Sequence, residues 1–508
     1  MNIYLIKALF LLGAVMISLS SSAKESPPNI VIIYADDMGF GDLNIQNPDS
    51  KIPTPNLDQL AREGMRFTDA HSSSGICSPS RYSLLTGRYH WRRQHGIVNS
   101  FGKSFFTKDE VTLPKALQNA GYNTAAIGKW HLGWDWKFNN KPSGRVKGKK
   151  GIQKFYMPED IDWTKPVAGG PLDQGFDYYF GDGTINFPPY AWFENDKVVE
   201  APTAVMTKKN IGFDVKEGGW EFRPGPKVQG WNPYDVLPTL TKKSQQWIAQ
   251  QKKDQPFFLY LALPSPHAPI IPNKEFDGKS KAGPYGDFMF QTDWVAGQVL
   301  AALKKHGLSD NTIVIFTADN GPEHYAYARA EKYGHYSMGK LRGLKRDVYE
   351  GGHHVPFVIK WPEKIDAGSI STEVISQVDI MATLAGIAKI ELPIIAAPDS
   401  YDISPVLFKE KYTSPLREAT VQNTKQGVYG LRQGKWLYIN NSSGQHTRAP
   451  KAFNQAHGFK KFKTDNLLFD LEADPGQRNN VQAQHPERSS SMDYLLNKYR
   501  TQDASVKH

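Results

Sequence analysis

The side chains able to do chemistry in this chain are few and widely separated. Cys77 is the only cysteine among 508 residues. A free cysteine is usually a small buried hydrophobe, and otherwise a reactive thiol. Asp36 stands next to Asp37, and Asp319 next to Asn320. Either pair alone is an ordinary turn sequence. At buried strand ends, adjacent carboxylates repel one another unless a cation neutralises them. Three carboxylates and an amide oxygen form a hard donor set, suited to Ca²⁺ or Mg²⁺ rather than zinc. Lys129 and His131 lie in Gly128–Gly133, between glycines that allow a tight backbone approach. His267 is enclosed by Pro264, Pro266 and Pro269, which fix the angle at which its ring is presented. Each such Lys or His, met alone, is as readily a solvated or structural side chain.

These residues need elements to position them. The apolar run 29–34, bounded by prolines and Asp36, reads as a buried strand of a parallel sheet. Residues 256–262 and 312–317 read the same way, ahead of His267 and Asp319. Residues 122–127 form another predicted strand, with Gly128–Gly133 as the loop at its carboxyl end, and 356–360 a further one. Helices are expected over 56–64, from Ser80 to Thr86 after Pro79, and over 113–120, 288–306 and 378–386. The alternation predicts an α/β fold with a large doubly wound mixed sheet flanked by helices. Sites in such folds form beyond the carboxyl ends of strands, where these motifs fall. From about residue 411 the pattern changes. Residues 428–439 read as a hairpin around Gly434, and a helix is expected near 492–499. We therefore expect a catalytic domain over 24–410 and a smaller α+β domain over 411–508.

Residues 1–23 have the form of an export signal: Lys7, an apolar run from Ala8 to Leu19, then Ser21-Ser22-Ala23. No other long apolar stretch follows, so stable membrane association is not expected. The reading is an exported protein, periplasmic or secreted. A lone cysteine is unusual there, because exported cysteines are normally paired. Formal net charge is +10, which favours polyanionic partners. No nucleic-acid-binding motif is present, and sulfated polysaccharide is the other polyanion. The chain holds 12 Trp and 23 Tyr, whose faces suit sugar rings as well as a core. The basic, glycine-rich run 141–150 reads as a loop, either solvated without a partner or part of a binding surface.

Cys77-Ser78-Pro79-Ser80-Arg81, followed by Leu84-Leu85-Thr86-Gly87-Arg88, resembles the signature of type I, formylglycine-dependent sulfatases of the alkaline phosphatase-like superfamily. Gly128–Gly133, Lys345 with Tyr349-Glu350-Gly351-Gly352, and Leu468–Pro475 follow in that family's order. The resemblance implies that a formylglycine-generating or anaerobic maturase oxidises Cys77 to Cα-formylglycine. It implies one Ca²⁺ per chain, held by Asp36, Asp37, Asp319, Asn320 and an oxygen of residue 77. It further implies sulfate contacts from Lys129 and Lys345 and charge stabilisation by Arg81. His131 would hydrogen-bond the formylglycine hydroxyl, and His267 would protonate the leaving oxygen. The expected activity is sulfuric ester hydrolysis. One departure is His354, where many relatives carry Arg before Val-Pro.

Residues 181–196 and 335–343 are similar to polysaccharide sulfatases of marine bacteria. That likeness implies an algal galactan such as carrageenan, with galactose 4-sulfate as the ester. Tyr190, Trp192, His324, His335, Arg342 and His354 are the candidate substrate contacts. A glycosaminoglycan sulfatase fits the same features. Two other readings stay open. One is a phosphonate or phosphate diester hydrolase of the same superfamily. The other is a non-catalytic polysaccharide-binding protein in which Cys77 remains a thiol.

Overall fold

Seven consecutive buried residues, Asn29–Ala35, form an inner strand of a ten-stranded sheet. The computed structural model describes residues 26–148 and 151–506. The expected export segment, and Lys149 and Lys150, lie outside them. After Asn29 the strand is apolar because both its faces are covered. It pairs in parallel with Phe257–Ala262 on one side and Thr312–Ala318 on the other. Asn123–Gly128 runs parallel beyond Phe257–Ala262, and Tyr178–Gly181 parallel beyond that. Five adjacent strands therefore point the same way. The edges are mixed: Phe357–Lys360 is antiparallel to Thr312–Ala318, and Phe193–Glu194 to Tyr178–Gly181.

Helices cover both faces, and two large apolar clusters lie on either side of the sheet. Val31, Leu259 and Phe316 belong to one cluster, together with Leu240 and Val299 of covering helices. Ile32, Tyr260 and Ile315 belong to the other, with Leu84 and Leu117. The period-two alternation of each strand sends its side chains to opposite cores. The fold is the expected mixed α/β arrangement.

Residues 420–470 supply a separate antiparallel sheet in the order Thr420–Lys425, Val428–Gln433, Trp436–Ile439, Leu467–Asp470. The helix Pro486–Thr501 packs on it through Met492 and Leu496, and Tyr89 and Trp91 join the same cluster. The edge strand Thr420–Lys425 reaches back, where Thr424 Oγ1 accepts from the Gly75 amide at 3.0 Å.

Two local expectations change. The basic run is not a plain loop: Gly144–Gly148 pairs antiparallel with Gly151–Phe155 as a two-stranded ribbon. Its largely exposed residues alternate too weakly in polarity to signal a strand. The helix after the cysteine begins at Cys77, three residues ahead of the expected start. A proline is tolerated in a first helical turn, where its missing N–H has no partner to lose. Pro79 therefore does not mark a boundary. Among the described residues no helix is long and apolar enough to cross a membrane.

Gly128 closes its strand at φ 109°. A Cβ there would lie 2.0 Å from the Ala262 carbonyl oxygen of the neighbouring strand. Gly128→Ala is expected to destabilise the fold by about 3 kcal/mol or more. Urea unfolding measures this, and an unshifted midpoint would show that the two strand ends can separate freely.

Candidate active site

The parallel strands deliver their carboxyl ends to one edge, and each end carries reactive groups. Asp36 and Asp37 follow Ala35, and Asp319 and Asn320 follow Ala318. Lys129 and His131 follow Gly128, and His267 lies just past Ala262. All are buried, with His267 the most open at 6 % exposure. Asp37 and His131 sit at φ 62° and 54°, in the left-handed region. Such strained backbone concentrates at functional sites.

Cys77 opens the helix Cys77–Thr86 after an extended Ile76. The unpaired N–H groups and positive end of the dipole therefore face this site. Arg81 lies one turn on, on the same helix face. Its Nε and Nη2 donate to Asp319 Oδ2 at 3.1 and 2.9 Å, and its Nη1 to the Lys129 carbonyl at 3.3 Å. Cys77 Sγ donates to Asp36 Oδ1 at 3.4 Å. Lys129 Nζ donates to Asp36 Oδ2. Lys345 Nζ donates to Asp37 Oδ2 at 2.8 Å, and His267 Nε2 lies 3.5 Å from the same oxygen. Asp36, Asp37, Cys77 and His267 offer ligand atoms all within 4.8 Å of one another.

The electrostatics sort these groups. Burial alone would raise Asp36, but Lys129, His267, Arg81 and Lys345 hold it well below the usual carboxylate range. Burial and the charge of Asp36 push Asp319 up to about 7, although Arg81 and Lys129 oppose them. Burial, then Lys129 and Arg81, hold His131 well below the usual imidazole range, so its ring is neutral. Its Nε2 lies 3.0 Å from the Val98 carbonyl, which can only accept. The proton is therefore on Nε2, and the buried Nδ1 is left with a lone pair and no partner. Burial, Asp319 and Asp36 raise the Cys77 thiol well above its ordinary value. An unmodified Cys77 is thus a protonated thiol and a poor nucleophile.

The donor set fits a hard divalent cation. Asn320 Nδ2 donates to Asp37 Oδ1 at 2.8 Å and to the Gly321 carbonyl at 2.8 Å. Its Oδ1 is buried without a partner. A buried amide oxygen beside three carboxylates is the chemistry of a Ca²⁺ ligand. Lys129 and Lys345 neutralise the two carboxylates in this structure, as a cation would.

A cleft of about 720 Å³ opens over the site, with His267 and Lys345 in its lining. His95, Lys208, Trp220, Arg223, Lys425 and His446 form much of its wall. None of these was a candidate from the sequence. They come from segments without periodic patterning, and an exposed aromatic in Gly218-Gly219-Trp220 was the only local signal.

The structure places the six candidate substrate contacts differently. His324 is the one with an open side chain; it lies 2.8 Å from Glu323 and packs by Trp220 at the rim. None of the six is among the residues lining the cleft, although His324 packs against one that is, Trp220. Tyr190 is 1 % exposed, within the core beside Trp231. Trp192 stacks on Phe180. His335 is fully buried, with Nε2 donating to Asp42 and Nδ1 accepting from the Lys51 amide. Arg342 donates to the Gln477 and Lys460 carbonyls and covers the Tyr349 ring. His354 lies between Glu350 and the Thr68 carbonyl. Likeness of their segments to polysaccharide sulfatases suggested Tyr190, His335 and Arg342 as sugar contacts, whereas their polar atoms bond inside the fold.

Residues 28–390 match the Sulfatase family model, and the chain belongs to that family. It is a sulfuric ester hydrolase with the alkaline phosphatase-like fold. Across 499 aligned residues it is 33 % identical to N-acetylgalactosamine-6-O-sulfatase of Bacteroides thetaiotaomicron, covering 93 % of each chain. A solved structure from work on the metabolism of multiple glycosaminoglycans by that organism aligns with TM-score 0.77 at 32 % identity, covering 94 % of this chain and 100 % of the other. Ps i-CgsB in complex with k-i-k-neocarrahexaose aligns with TM-score 0.68 at 22 % identity, covering 95 % of each. The last likeness shows the fold alone.

His354 has a consequence for stability. Its Nδ1 donates to Glu350 at 3.1 Å and its Nε2 to the Thr68 carbonyl at 2.9 Å, so both nitrogens carry protons. Burial lowers its pKa, but Glu350 and Asp69 outweigh this and the net shift is upward. The stabilisation is complete below the unfolded value, about 6.5, and is lost as pH rises through the folded value. Wild type is expected to exceed His354→Gln by about 1–2 kcal/mol at acid pH, with a smaller gap in alkali. Urea unfolding across that range tests this, and a constant gap contradicts it.

Proposed function

We propose that this protein hydrolyses a sulfate ester of an anionic glycan, with residue 77 acting as Cα-formylglycine beside a bound Ca²⁺. The observation that carries the reading is the setting of Cys77. It stands at a helix amino end, 3.4 Å from Asp36, yet is held as a neutral thiol. A thiolate enzyme would need the opposite shift. Sγ stands here for the oxygen that the oxidised residue would carry.

Hydrated formylglycine supplies a nucleophilic hydroxyl and a second hydroxyl that can later expel sulfate, which no thiol or serine offers. Asp36, Asp37, Asp319, Asn320 and residue 77 would hold Ca²⁺, which would supply Lewis acidity when bound. The chain's own groups divide the remaining work. Asp319, whose Oδ2 is held by Arg81, accepts the proton of the attacking hydroxyl. Arg81 fixes Asp319 and, with Lys129 and Lys345, stabilises charge on the sulfuryl oxygens in a buried site. His267, on the cleft side, protonates the departing alcohol. His131 accepts the proton of the second hydroxyl through its unpartnered Nδ1.

The glycan is most economically a glycosaminoglycan bearing a 6-sulfated N-acetylhexosamine. The 33 % identical relative over 93 % of the chain supports this. The carrageenan expectation loses ground, because Tyr190 and His335 of the segments that suggested it are buried. Release of sulfate from defined glycosaminoglycan and carrageenan oligosaccharides, with product positions assigned by NMR, tests the choice. Sole release from carrageenan 4-sulfate would reverse it, and dominant phosphate diesterase activity would remove the sulfatase reading.

Two further outcomes are expected. Mass spectrometry of the peptide containing residue 77, from a host with a maturase, should show the aldehyde; Cys77→Ala should lower kcat by about 10³-fold or more. A free thiol in fully active protein would refute the mechanism. Chelation of Ca²⁺ should lower Tm and activity together, and Asp37→Asn should abolish the Tm response to added Ca²⁺ while leaving a folded chain.

A further inference from the structure

The cleft wall carries more positive charge than one sulfate ester requires. Of its cations, Arg346 is consumed by Glu323, with bonds of 2.6 and 2.7 Å. Glu221, an acid in the same wall, accepts from Tyr325 at 3.0 Å. Lys208, Arg223 and Lys425 form no ion pair among the described residues.

Arg223 differs from the two lysines in being held in place. Its guanidinium carbon lies 3.6 Å from the centre of the Phe187 ring, and its Nη1 donates to Asn99 Oδ1 at 2.8 Å. Its backbone is clamped as well. The Arg223 amide donates to Tyr190 Oη at 3.0 Å, and the same hydroxyl donates back to the Arg223 carbonyl at 2.7 Å. The Phe187 ring also meets the His131 ring edge-on, with centroids 5.4 Å apart. One phenyl ring thus separates Arg223 from the sulfate-side histidine. Burial lowers the Arg223 pKa, but a guanidinium remains charged in proteins.

A half-buried arginine, rigidly placed and ion-paired to no carboxylate, with only the nearby charge of Glu221 to offset its burial, spends desolvation without return unless a ligand supplies the anion. Its planar fork matches a carboxylate or sulfate bidentately. We propose that Arg223 is a subsite for a second anionic group of the substrate, a carboxylate or a further sulfate, on the sugar bearing the scissile ester or on its neighbour. Tyr190 is then a positioning residue for Arg223 rather than a sugar contact. This rests on the glycan sulfatase reading above. It deepens that reading by requiring at least two anions on the substrate.

The test compares Arg223→Gln with wild type on paired disaccharides. One pair is a 6-sulfated uronate-containing disaccharide and its counterpart with the carboxyl reduced to an alcohol. The other is a disulfated neocarrabiose and its monosulfated form. On the pair that supplies the anion, Arg223→Gln should cut kcat/KM about tenfold to a hundredfold more for the dianionic member, mainly through KM. Arg223→Lys should recover part of the loss, because it keeps the charge but not the fork. The sensitive pair identifies the anion. An equal penalty on both members of both pairs, or no penalty, overturns the subsite. Calorimetric binding of the same sugars to the Cys77→Ala protein, with and without Arg223→Gln, separates this from the function itself. Wild type that binds but releases no sulfate would sink the hydrolase reading, while weakened binding in Arg223→Gln would still uphold the subsite.

Discussion

The buried pairing of Arg81 with Asp319 is the interaction on which the site depends. Arg81 belongs to the helix that opens with residue 77, and Asp319 to the end of a central strand. Both side chains are fully buried and 2.9 Å apart. Neither charge can be left alone in that interior, because an uncompensated buried ion costs several kcal/mol. The pair therefore fixes the position of the helix relative to the sheet edge, and with it the approach of residue 77 to Asp36. Arg81 also donates to the Lys129 carbonyl, so a third strand end is drawn into the same arrangement. Substituting one partner would leave the other charged and dry, and would disturb geometry at three strand ends together.

This explains why the neighbouring carboxylates behave differently. Asp36 faces several cations and stays ionised despite burial, whereas Asp319 shares its one close guanidinium with the field of Asp36 and is pushed up. Two carboxylates in one pocket are thereby separated into a permanent anion and a group able to exchange a proton near neutrality. The thiol in the same field is driven toward its neutral form. A site that suppresses thiolate while gathering cations is poorly suited to cysteine chemistry. It is well suited to an oxygen nucleophile attacking an anionic ester.

The sheet and its reactive edge are legible in the sequence because their causes are local. Residues 30–35, 257–262 and 313–316 are apolar without interruption, since each strand is covered on both faces. Such runs end where polar side chains begin, so Asp36, His267 and Asp319 mark the carboxyl edge directly. The helix start at Cys77 is less legible. Pro79 looks like a boundary from the sequence, while in three dimensions it occupies a turn that needs no donor. The cleft wall is not legible at all. Arg223 acquires its meaning from Phe187, Asn99 and Tyr190, which no spacing rule connects to it.

Tyr190 shows why composition misleads about ligand contacts. An aromatic-rich chain invites the assignment of its Tyr and Trp to sugar faces, yet this ring is buried among Phe222 and Trp231. Its hydroxyl needs partners in that interior, and it finds them in the two backbone groups of Arg223. The satisfaction of one buried polar atom thus sets the orientation of a cleft cation. Catalytic groups at strand ends are specified by the strands that carry them, so they remain where the fold puts them. Specificity groups are specified by packing between distant loops. They can change with each repacking of the wall while the chemistry beneath them stays fixed.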